Sequence, residues 1–189
     1  MLIGRIRIEP DEGGRNPRKD ADYGSTLYAV HRRYDFSDKQ APKLDRGGFS
    51  NWDDVKQALI RTEDAVVILP VYMYDHSGLS VQTHPFGCRW DSGQLGFIYV
   101  PRRNLRDYYG VQRLTAKSTQ RIEASLRQDI EVLNTYLTEG CYALIIEARD
   151  GSDWEQVDSC GGFIGSDVKT NGMMDYLKPW IAKGYEIVE

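Results

Sequence analysis

Residues 115–139, TAKSTQRIEASLRQDIEVLNTYLTE, form the stretch of the chain that decides its fold class. Apolar side chains recur in this stretch at steps of four and three residues: Ile122, Leu126, Ile130, Leu133 and Leu137. That spacing is typical of an amphipathic helix. Thr115 or Ser118 can cap its start, and Gly140 suits the position just after its end. The pattern therefore predicts one helix over residues 115–139, about 35 Å long.

Most of the remaining chain has the pattern of strands. Residues 141–148 (CYALIIEA) predict a buried strand, and residues 154–160 predict its hairpin partner after a turn at 149–152. Further strands are predicted at residues 2–8, 26–34, 65–74, 79–83 and 96–100. Because Pro70 cannot donate a backbone hydrogen bond, the strand over 65–74 should have an edge or a bulge at that point.

Two shorter helices complete the predicted set, and together the elements predict an α+β fold. One helix covers residues 52–61, with Ser50 or Asn51 as its N-cap, and the other begins near Met173 and is kinked or restarted at Pro179. We expect a mostly antiparallel sheet covered by the long helix and by these shorter ones. The length favours a single domain over residues 1–189, in which the loop near 36–50 could set off a small N-terminal piece, residues 1–48.

Composition limits the classes of partner. A net charge of −4 and a pI near 5.5 argue against direct DNA binding, which needs a basic face. No apolar run reaches the roughly 18 residues of a membrane span, and the start of the chain lacks the apolar region of a signal peptide. The three cysteines are far apart and lack C-x-x-C spacing, as expected for reduced thiols. We therefore expect a cytoplasmic protein with no membrane partner.

Two polar turns within residues 72–100, YMYDHSGLSVQTHPFGCRWDSGQLGFIYV, predict the functional site. Each adjoins an apolar strand and holds more groups that donate, accept or titrate than a connector requires. The candidate ligand-binding residues are Tyr74, Asp75, His76, Ser77, Arg89, Trp90, Asp91, Ser92 and Gln94.

The first turn permits catalysis by histidine but does not favour it. His76 could be a general base and Ser77 a nucleophile. However, neighbouring residues of a strand point to opposite faces, and the chain has no G-x-S-x-G elbow. The alternative is a turn in which Asp75 and Ser77 bond to the local backbone. If the chain is an enzyme, we expect His76 to be the base and Asp75 or Asp91 to orient it.

The second turn has the composition of a nucleotide contact. A guanidinium beside an indole, as in Arg89 and Trp90, suits an anion attached to a planar ring. Asp91 and Gln94 could bond to sugar hydroxyls or to the edge of a base. The alternative is that residues 91–93 are only a turn and that Trp90 packs into the protein.

Metal binding and a basic contact surface are the other candidates. Asp75, His76, His84 and Cys88 lack the spacings of known zinc sites, so we expect no metal and no other cofactor. Basic residues concentrate at Arg102, Arg103, Arg106, Arg113, Lys117 and Arg121. These could bind a protein partner, or they could form a solvated, charge-balanced surface.

Three segments resemble a widespread family of small bacteriophage proteins. They are residues 16–38 (NPRKDADYGSTLYAVHRRYDFSD), residues 69–100 with the signature YDHSG…WDSGQxGxIYV, and the tail that ends in DSCGGFIG, residues 158–165. The resemblance covers approximately residues 16–165. It implies a phage or prophage origin, and an accessory protein of the host bacterial cytoplasm in place of a virion component. It implies no established activity and assigns no catalytic residue.

This context leads to a functional hypothesis with two alternatives. We expect a non-enzymatic counter-defence protein that binds a host immune factor or sequesters a nucleotide-type signal. One alternative is a nucleotide-directed hydrolase that uses His76 with Asp75 or Asp91. The other is a protein–protein adaptor that uses the surface between Arg102 and Arg121. The many tyrosines and tryptophans are compatible with a homo-oligomer.

Overall fold

A computed structural model describes residues 3–20, 22–44, 48–151 and 153–188. Its helices are α1 (Pro17–Asp20), α2 (Trp52–Glu63), α3 (Asn104–Tyr109), α4 (Ala116–Glu139) and α5 (Met173–Ala182). Its strands are β1 (Ile3–Pro10), β2 (Thr26–Ala29), β3 (Ala65–Asp75), β4 (Leu79–Gln82), β5 (Ser92–Pro101), β6 (Cys141–Arg149), β7 (Glu155–Ile164) and β8 (Glu186–Val188). Parts of three predicted segments lie outside the described residues: Leu2, residues 45–47 and Ser152.

The strands form two four-stranded sheets, in the orders β7-β6-β1-β8 and β2-β5-β3-β4. The strand pairs are antiparallel except for β1 and β8, which run parallel. The predicted α+β class, with one long helix, is therefore confirmed. Two sheets form instead of one because β1 pairs along its whole length with β6, which follows α4, and does not join β2.

The chain divides into two compact units. One consists of Met1–Asn16 with Thr135–Glu189, and the other of Pro17–Asn134. The expectation of a single domain over residues 1–189, with a small piece at residues 1–48, stays a prediction. Among the described residues, no helix carries an apolar segment long enough to cross a lipid bilayer.

The unit formed by the two ends of the chain has its core on one face of its sheet. Ile6 and Ile146, paired across β1 and β6, are fully buried and pack in one cluster with Met173 and Leu177 of α5. The residues that alternate with Ile6 and Ile146 include Arg5 and Arg7 of β1 and Glu147 of β6. Glu147 of β6 accepts hydrogen bonds from two arginines of β1, Arg5 and Arg7, with distances of 2.6 Å and 3.0 Å from each Nε to Oε2. These bonds lower the pKa of Glu147.

The Pro17–Asn134 unit is built around β5, which lies between β2 and β3. Every residue from 95 to 101 is buried, as expected for a central strand. On one side β5 comes very close to β2. A Cβ added at Gly96 would lie 1.9 Å from the carbonyl oxygen of Tyr28, so this position admits only glycine without a shift of the backbone.

The helix signals in the sequence are confirmed at both predicted caps. Asn51 accepts a hydrogen bond from the Asp54 amide at 3.0 Å, and α2 runs two residues further than predicted. At the start of α4 the Ser118 hydroxyl accepts from the Thr115 amide at 2.8 Å, and the Thr115 hydroxyl accepts from the Ser118 amide at 3.2 Å. Gly140 ends α4 with a φ of +82°. In the apolar stripe, four of the five side chains are buried, and Leu137 is partly buried.

Pro70 lies where the sequence predicts an edge or a bulge. Only the last residues of β3, from Tyr72 to Asp75, pair with β4, so Pro70 precedes that pairing. The register between β3 and β5 also shifts between Val71 and Tyr72. The missing N–H of Pro70 therefore falls where β3 pairs with β5 but not with β4.

A buried ion pair fixes the path of the chain before and after β2. Arg18 and Asp38 are both buried, and two guanidinium nitrogens of Arg18 donate to the two carboxylate oxygens of Asp38. Asp38 also accepts from the Leu27 amide at 2.7 Å, and its own amide donates to the Leu27 carbonyl at 2.9 Å. Asp129 of α4 lies 3.6 Å from Arg18 and accepts from the Ser25 hydroxyl at 2.7 Å.

The strand predicted over residues 26–34 ends early, at Ala29. The Ser37 hydroxyl accepts from the Ala29 amide and donates to the Ala29 carbonyl, at 2.9 Å and 2.7 Å. The Ser37 side chain thus occupies the backbone N–H and C=O groups of Ala29 that a further strand would pair with. The chain then turns, and the ring of His31 stacks on that of Tyr34 at 5.0 Å. The prediction of a strand through residue 34 was therefore wrong.

We expect Gly96→Ala to lower the free energy of unfolding by about 2–3 kcal/mol, because the new methyl group would meet the backbone of β2. The melting temperature should fall by about 5–10 °C. Gly93→Ala, in the same strand, is the matched control, since nothing lies within 4 Å of its added Cβ. Thermal unfolding followed by circular dichroism would measure both, and equal stability of the two variants would contradict the close approach of β2 and β5.

We expect the carboxyl group of Asp129 to contribute more to stability at low pH than at neutral pH. Burial raises the pKa of Asp129 above its ordinary value of 3.8, although the Ser25 hydroxyl and Arg18 act to lower it. The folded protein therefore holds this proton more tightly than the unfolded chain. The contribution of Asp129 to stability is largest below pH 3.8 and is lost as pH rises through the raised pKa.

Asp129→Asn abolishes this titration, so the stability of the variant relative to the wild type should rise between pH 3 and pH 7. Urea unfolding at several pH values would measure the difference. Asp53→Asn, at an exposed position, controls for the loss of one carboxylate. A difference that stays constant or falls with pH would show that the carboxylate of Asp129 is not destabilised by burial.

Candidate functional site

A cavity of about 290 Å³ lies in the Pro17–Asn134 unit, where β3 ends and β5 begins. Its walls come from three parts of the chain: the turn after β2, the end of β3, and the segment that leads into β5. The lining residues are His31, Arg33, Met73, Asp75, Trp90, Asp91, Ser92, Gly93, Gln94 and Leu95.

Strand pairing explains why these segments meet. Because β3 and β5 are antiparallel, Tyr74 near the end of one lies opposite Ser92 at the start of the other. The Asp75 amide extends this pairing by donating to the Asp91 carbonyl at 2.8 Å. On the other side of β5, the Val30 amide donates to the Leu95 carbonyl at 2.8 Å and brings the residues that follow β2 to the same place.

The two polar turns singled out in the sequence therefore converge. Five of the nine predicted residues line the cavity: Asp75, Trp90, Asp91, Ser92 and Gln94. Two of these side chains also make local hydrogen bonds. The Ser92 hydroxyl donates to the Cys88 carbonyl, and Nε2 of the Gln94 side chain donates to the Gly96 carbonyl. That these residues bind a ligand stays a prediction.

Trp90 is the most exposed large apolar side chain of the site. Its side chain is 96% exposed at the edge of the cavity, so the alternative in which it packs into the protein is wrong. The neighbouring Arg89 is exposed, does not line the cavity, and makes no hydrogen bond or ion pair with any residue that the structure describes. An indole in this position offers a planar surface on which a ring can stack.

Arg33 lines the cavity, although sequence reasoning did not include it among the candidate site residues. It pairs with Asp75 through its guanidinium group, and both side chains line the cavity. The Arg33 side chain is 58% exposed and that of Asp75 is 23% exposed. Two consecutive arginines, Arg32 and Arg33, were the available signal, but the early end of β2 decides which of them reaches the cavity.

Asp91 connects the cavity to His76. Nδ1 of His76 lies 3.3 Å from Oδ2 of Asp91, and the His76 side chain is 61% exposed. The Cys88 thiol lies 3.8 Å from the same carboxylate oxygen. A carboxylate that orients one imidazole nitrogen leaves the other free to exchange a proton with a bound molecule, as a general base requires.

The remaining predicted residues have local roles. Ser77 is exposed in a turn with a φ of +56°, and the His76 amide donates to the Gly78 carbonyl across this turn at 3.2 Å. Residues 76–78 therefore form a turn, but the alternative in which the Asp75 and Ser77 side chains bond to the local backbone is not borne out for Asp75, whose carboxylate pairs with Arg33. Ser77 does not line the cavity. The ring of Tyr74 stacks on Phe86 at 5.6 Å, and its centroid is 6.1 Å from that of His76.

The other candidate sites gain little from the structure. In the described part of the chain, no group of three or more His, Cys, Asp or Glu side chains has an arrangement that could hold a metal ion. Three of the six basic residues between Arg102 and Arg121 are engaged within the protein. Arg102 pairs with Asp64 at 2.9 Å and Arg103 with Glu63 at 3.4 Å, while Arg121 donates to a backbone carbonyl.

No protein-family model, curated protein or solved structure matches this chain. The resemblance to bacteriophage accessory proteins therefore stays a prediction from the residues quoted above, and functional argument starts from the geometry of the cavity.

Proposed function

We propose that this chain is a bacteriophage accessory protein that binds a nucleotide-type ligand in the cavity between the ends of β3 and β5. By holding that ligand it withholds a signal from a host defence system. The defence role is an expectation from the phage context that the resemblance implies, and the chemistry of the cavity supports the ligand class.

The observation that carries the proposal is the position of Trp90. A side chain that contributes almost no burial to the fold stands at the edge of a polar cavity. Stacking of a base on an aromatic ring contributes about 1–3 kcal/mol and tolerates any base. Asp91 and Gln94, which line the same cavity, present hydrogen-bonding groups to a sugar or to a base edge.

The size and polarity of the cavity fit the same class of ligand. Small-molecule sites usually have volumes of roughly 300–1,000 Å³, so a cavity of about 290 Å³ suits one small molecule. Most of its lining side chains are polar or charged. A purely apolar ligand would leave these groups without hydrogen bonds, whereas a nucleotide supplies donors and acceptors beside its planar ring.

A thermal-shift screen against nucleoside monophosphates, cyclic nucleotides and ADP-ribose derivatives tests the proposal. A ligand at 100 times its dissociation constant should add roughly 2.7 kcal/mol to stability and raise the melting temperature by about 5–10 °C. Trp90→Ala should weaken binding about 5- to 100-fold, as expected for the loss of one stacking contact. It should leave the melting temperature of the free protein unchanged, because the side chain is exposed.

Tyr108→Ala is the matched control, since Tyr108 is an exposed aromatic residue of the same unit that does not line the cavity. If no nucleotide shifts the melting temperature, the ligand class is wrong and a host protein becomes the partner to seek by capture from lysate. Binding that Trp90→Ala leaves intact would move the site away from this cavity.

A second function, nucleotide hydrolysis, is favoured by one specific observation: the 3.3 Å contact of His76 with Asp91. In this mechanism Asp91 orients His76, and the imidazole takes a proton from water as its oxygen attacks the phosphorus of the bound nucleotide. The phosphate ester bond then breaks, and the imidazolium returns the proton to the departing sugar oxygen. Asp75 is paired with Arg33, so of the two carboxylates Asp91 is the one placed to orient the base.

Product analysis of a nucleotide after incubation with the protein separates sequestration from hydrolysis. For a binding protein we expect the nucleotide to be recovered unchanged. If turnover occurs, His76→Ala should reduce its rate by about 100-fold or more without weakening binding. His84→Ala is the control, because His84 is an exposed histidine of the same segment. Turnover that survives His76→Ala would exclude this base.

A further inference from the structure

We infer that Arg33 binds the anionic group of the ligand and that Asp75 is a built-in competitor for the same guanidinium. The inference rests on the proposed function, because it names the part of the cavity that holds the phosphate. It also replaces Arg89, which the sequence suggested as the anion contact, with a residue on a different segment.

The first argument is the charge inventory of the cavity. Of the described lining residues, Arg33 is the only lysine or arginine, and Asp75 and Asp91 are the carboxylates. An anion that enters the cavity therefore has one permanently positive side chain to bind. Guanidinium groups suit this role because they bind phosphate oxygens in a two-pronged geometry.

The second argument is that this cation is already occupied. Arg33 donates to Oδ2 of Asp75 through one of its guanidinium nitrogens, so a ligand phosphate that binds this guanidinium competes with a carboxylate. The backbone of Asp75 is fixed from two sides, by pairing with Leu79 of β4 and by its bond to the Asp91 carbonyl. Arg33 lies in a turn beyond the end of β2 and is the more exposed partner. Of the two side chains, Arg33 is therefore the one that can reorient toward a ligand.

The two arguments together define what Asp75 does to affinity. An anionic ligand competes with Asp75 for the guanidinium of Arg33, whereas an uncharged nucleoside that stacks on Trp90 does not. Asp75 therefore lowers the affinity of weakly held anions and leaves nucleoside binding unchanged. The site therefore favours ligands whose phosphate binds Arg33 more tightly than the Asp75 carboxylate does.

A double-mutant cycle tests this competition. Asp75→Asn removes the competing charge and should tighten nucleotide binding about 3- to 10-fold, without changing the affinity of the matching nucleoside. Arg33→Gln should remove most of the difference between nucleotide and nucleoside. In the double variant the gain from Asp75→Asn should vanish, since no guanidinium remains to be released. Isothermal titration with each 5′-monophosphate and its nucleoside gives all four corners of the cycle.

Two control variants separate competition from simple loss of negative charge. Asp35→Asn removes an exposed carboxylate two residues from Arg33 that does not line the cavity, and should give a smaller gain. Arg89→Gln should leave the preference for nucleotide over nucleoside unchanged. A gain from Asp75→Asn that persists in the Arg33→Gln background would mean that Asp75 acts only as a repelling charge, and the inference would be wrong.

Inorganic phosphate provides a readout that does not depend on the nucleobase. We expect phosphate to shift the Nε–H resonance of Arg33 in NMR spectra at lower concentrations in Asp75→Asn than in the wild type. If nucleotides fail to bind but this response is present, the proposed function is wrong and the anion site stands. If nucleotides bind but neither Arg33→Gln nor Asp75→Asn changes their affinity, the function stands and the anion site is wrong.

Discussion

The buried ion pair between Arg18 and Asp38 is the interaction on which the Pro17–Asn134 unit depends. Strand β2 is only four residues long, too short to hold the loop that follows it by ladder hydrogen bonds alone. Asp38 replaces the missing ladder by bonding both to Arg18 and to the backbone of Leu27. Two buried charges are costly to desolvate, and removing one leaves the other uncompensated. The loop after β2 is therefore held in one path. That path places His31 and Arg33 beside the start of β5.

The candidate site follows from this constraint. Its carboxylates stand at the ends of two antiparallel strands, and its arginine comes from the loop that the buried pair holds in place. None of the polar groups of the site lies deep in the protein: Arg33, Asp75, Asp91 and His76 are all partly exposed, Arg33 pairs with Asp75, and His76 contacts Asp91. Such groups exchange partners at low cost, because water screens their interactions. The unit thus combines a buried ion pair with a polar rim whose contacts can be rearranged.

Local patterns in the sequence were sufficient to predict α2, α4 and most of the strands, but not α1, α3 or β8. They were also not sufficient to predict which strands pair over long sequence distances. The stripe of α4 and the caps at Asn51, Thr115 and Ser118 depend on residues within a few positions of each other. The meeting of the two polar turns was also predictable, since antiparallel strands bring their opposite ends together. The two sheets could not be anticipated, because the partner of β1 lies beyond α4. The entry of Arg33 into the cavity depends on the bond between Ser37 and Ala29, which no periodicity reveals.

The exposure of Trp90 separates what holds the fold together from what the site recognises. A side chain that packs against nothing can be exchanged without a cavity, a clash or an unpaired polar group in the folded protein. Under the proposed function, substitutions of Trp90 therefore alter the preference for a ligand without lowering the stability of the fold. Under the proposed function, a phage whose host changes its nucleotide signal can therefore adapt by single substitutions of Trp90. The buried residues stabilise the fold, and exposed residues at the rim of the cavity can be substituted without loss of stability.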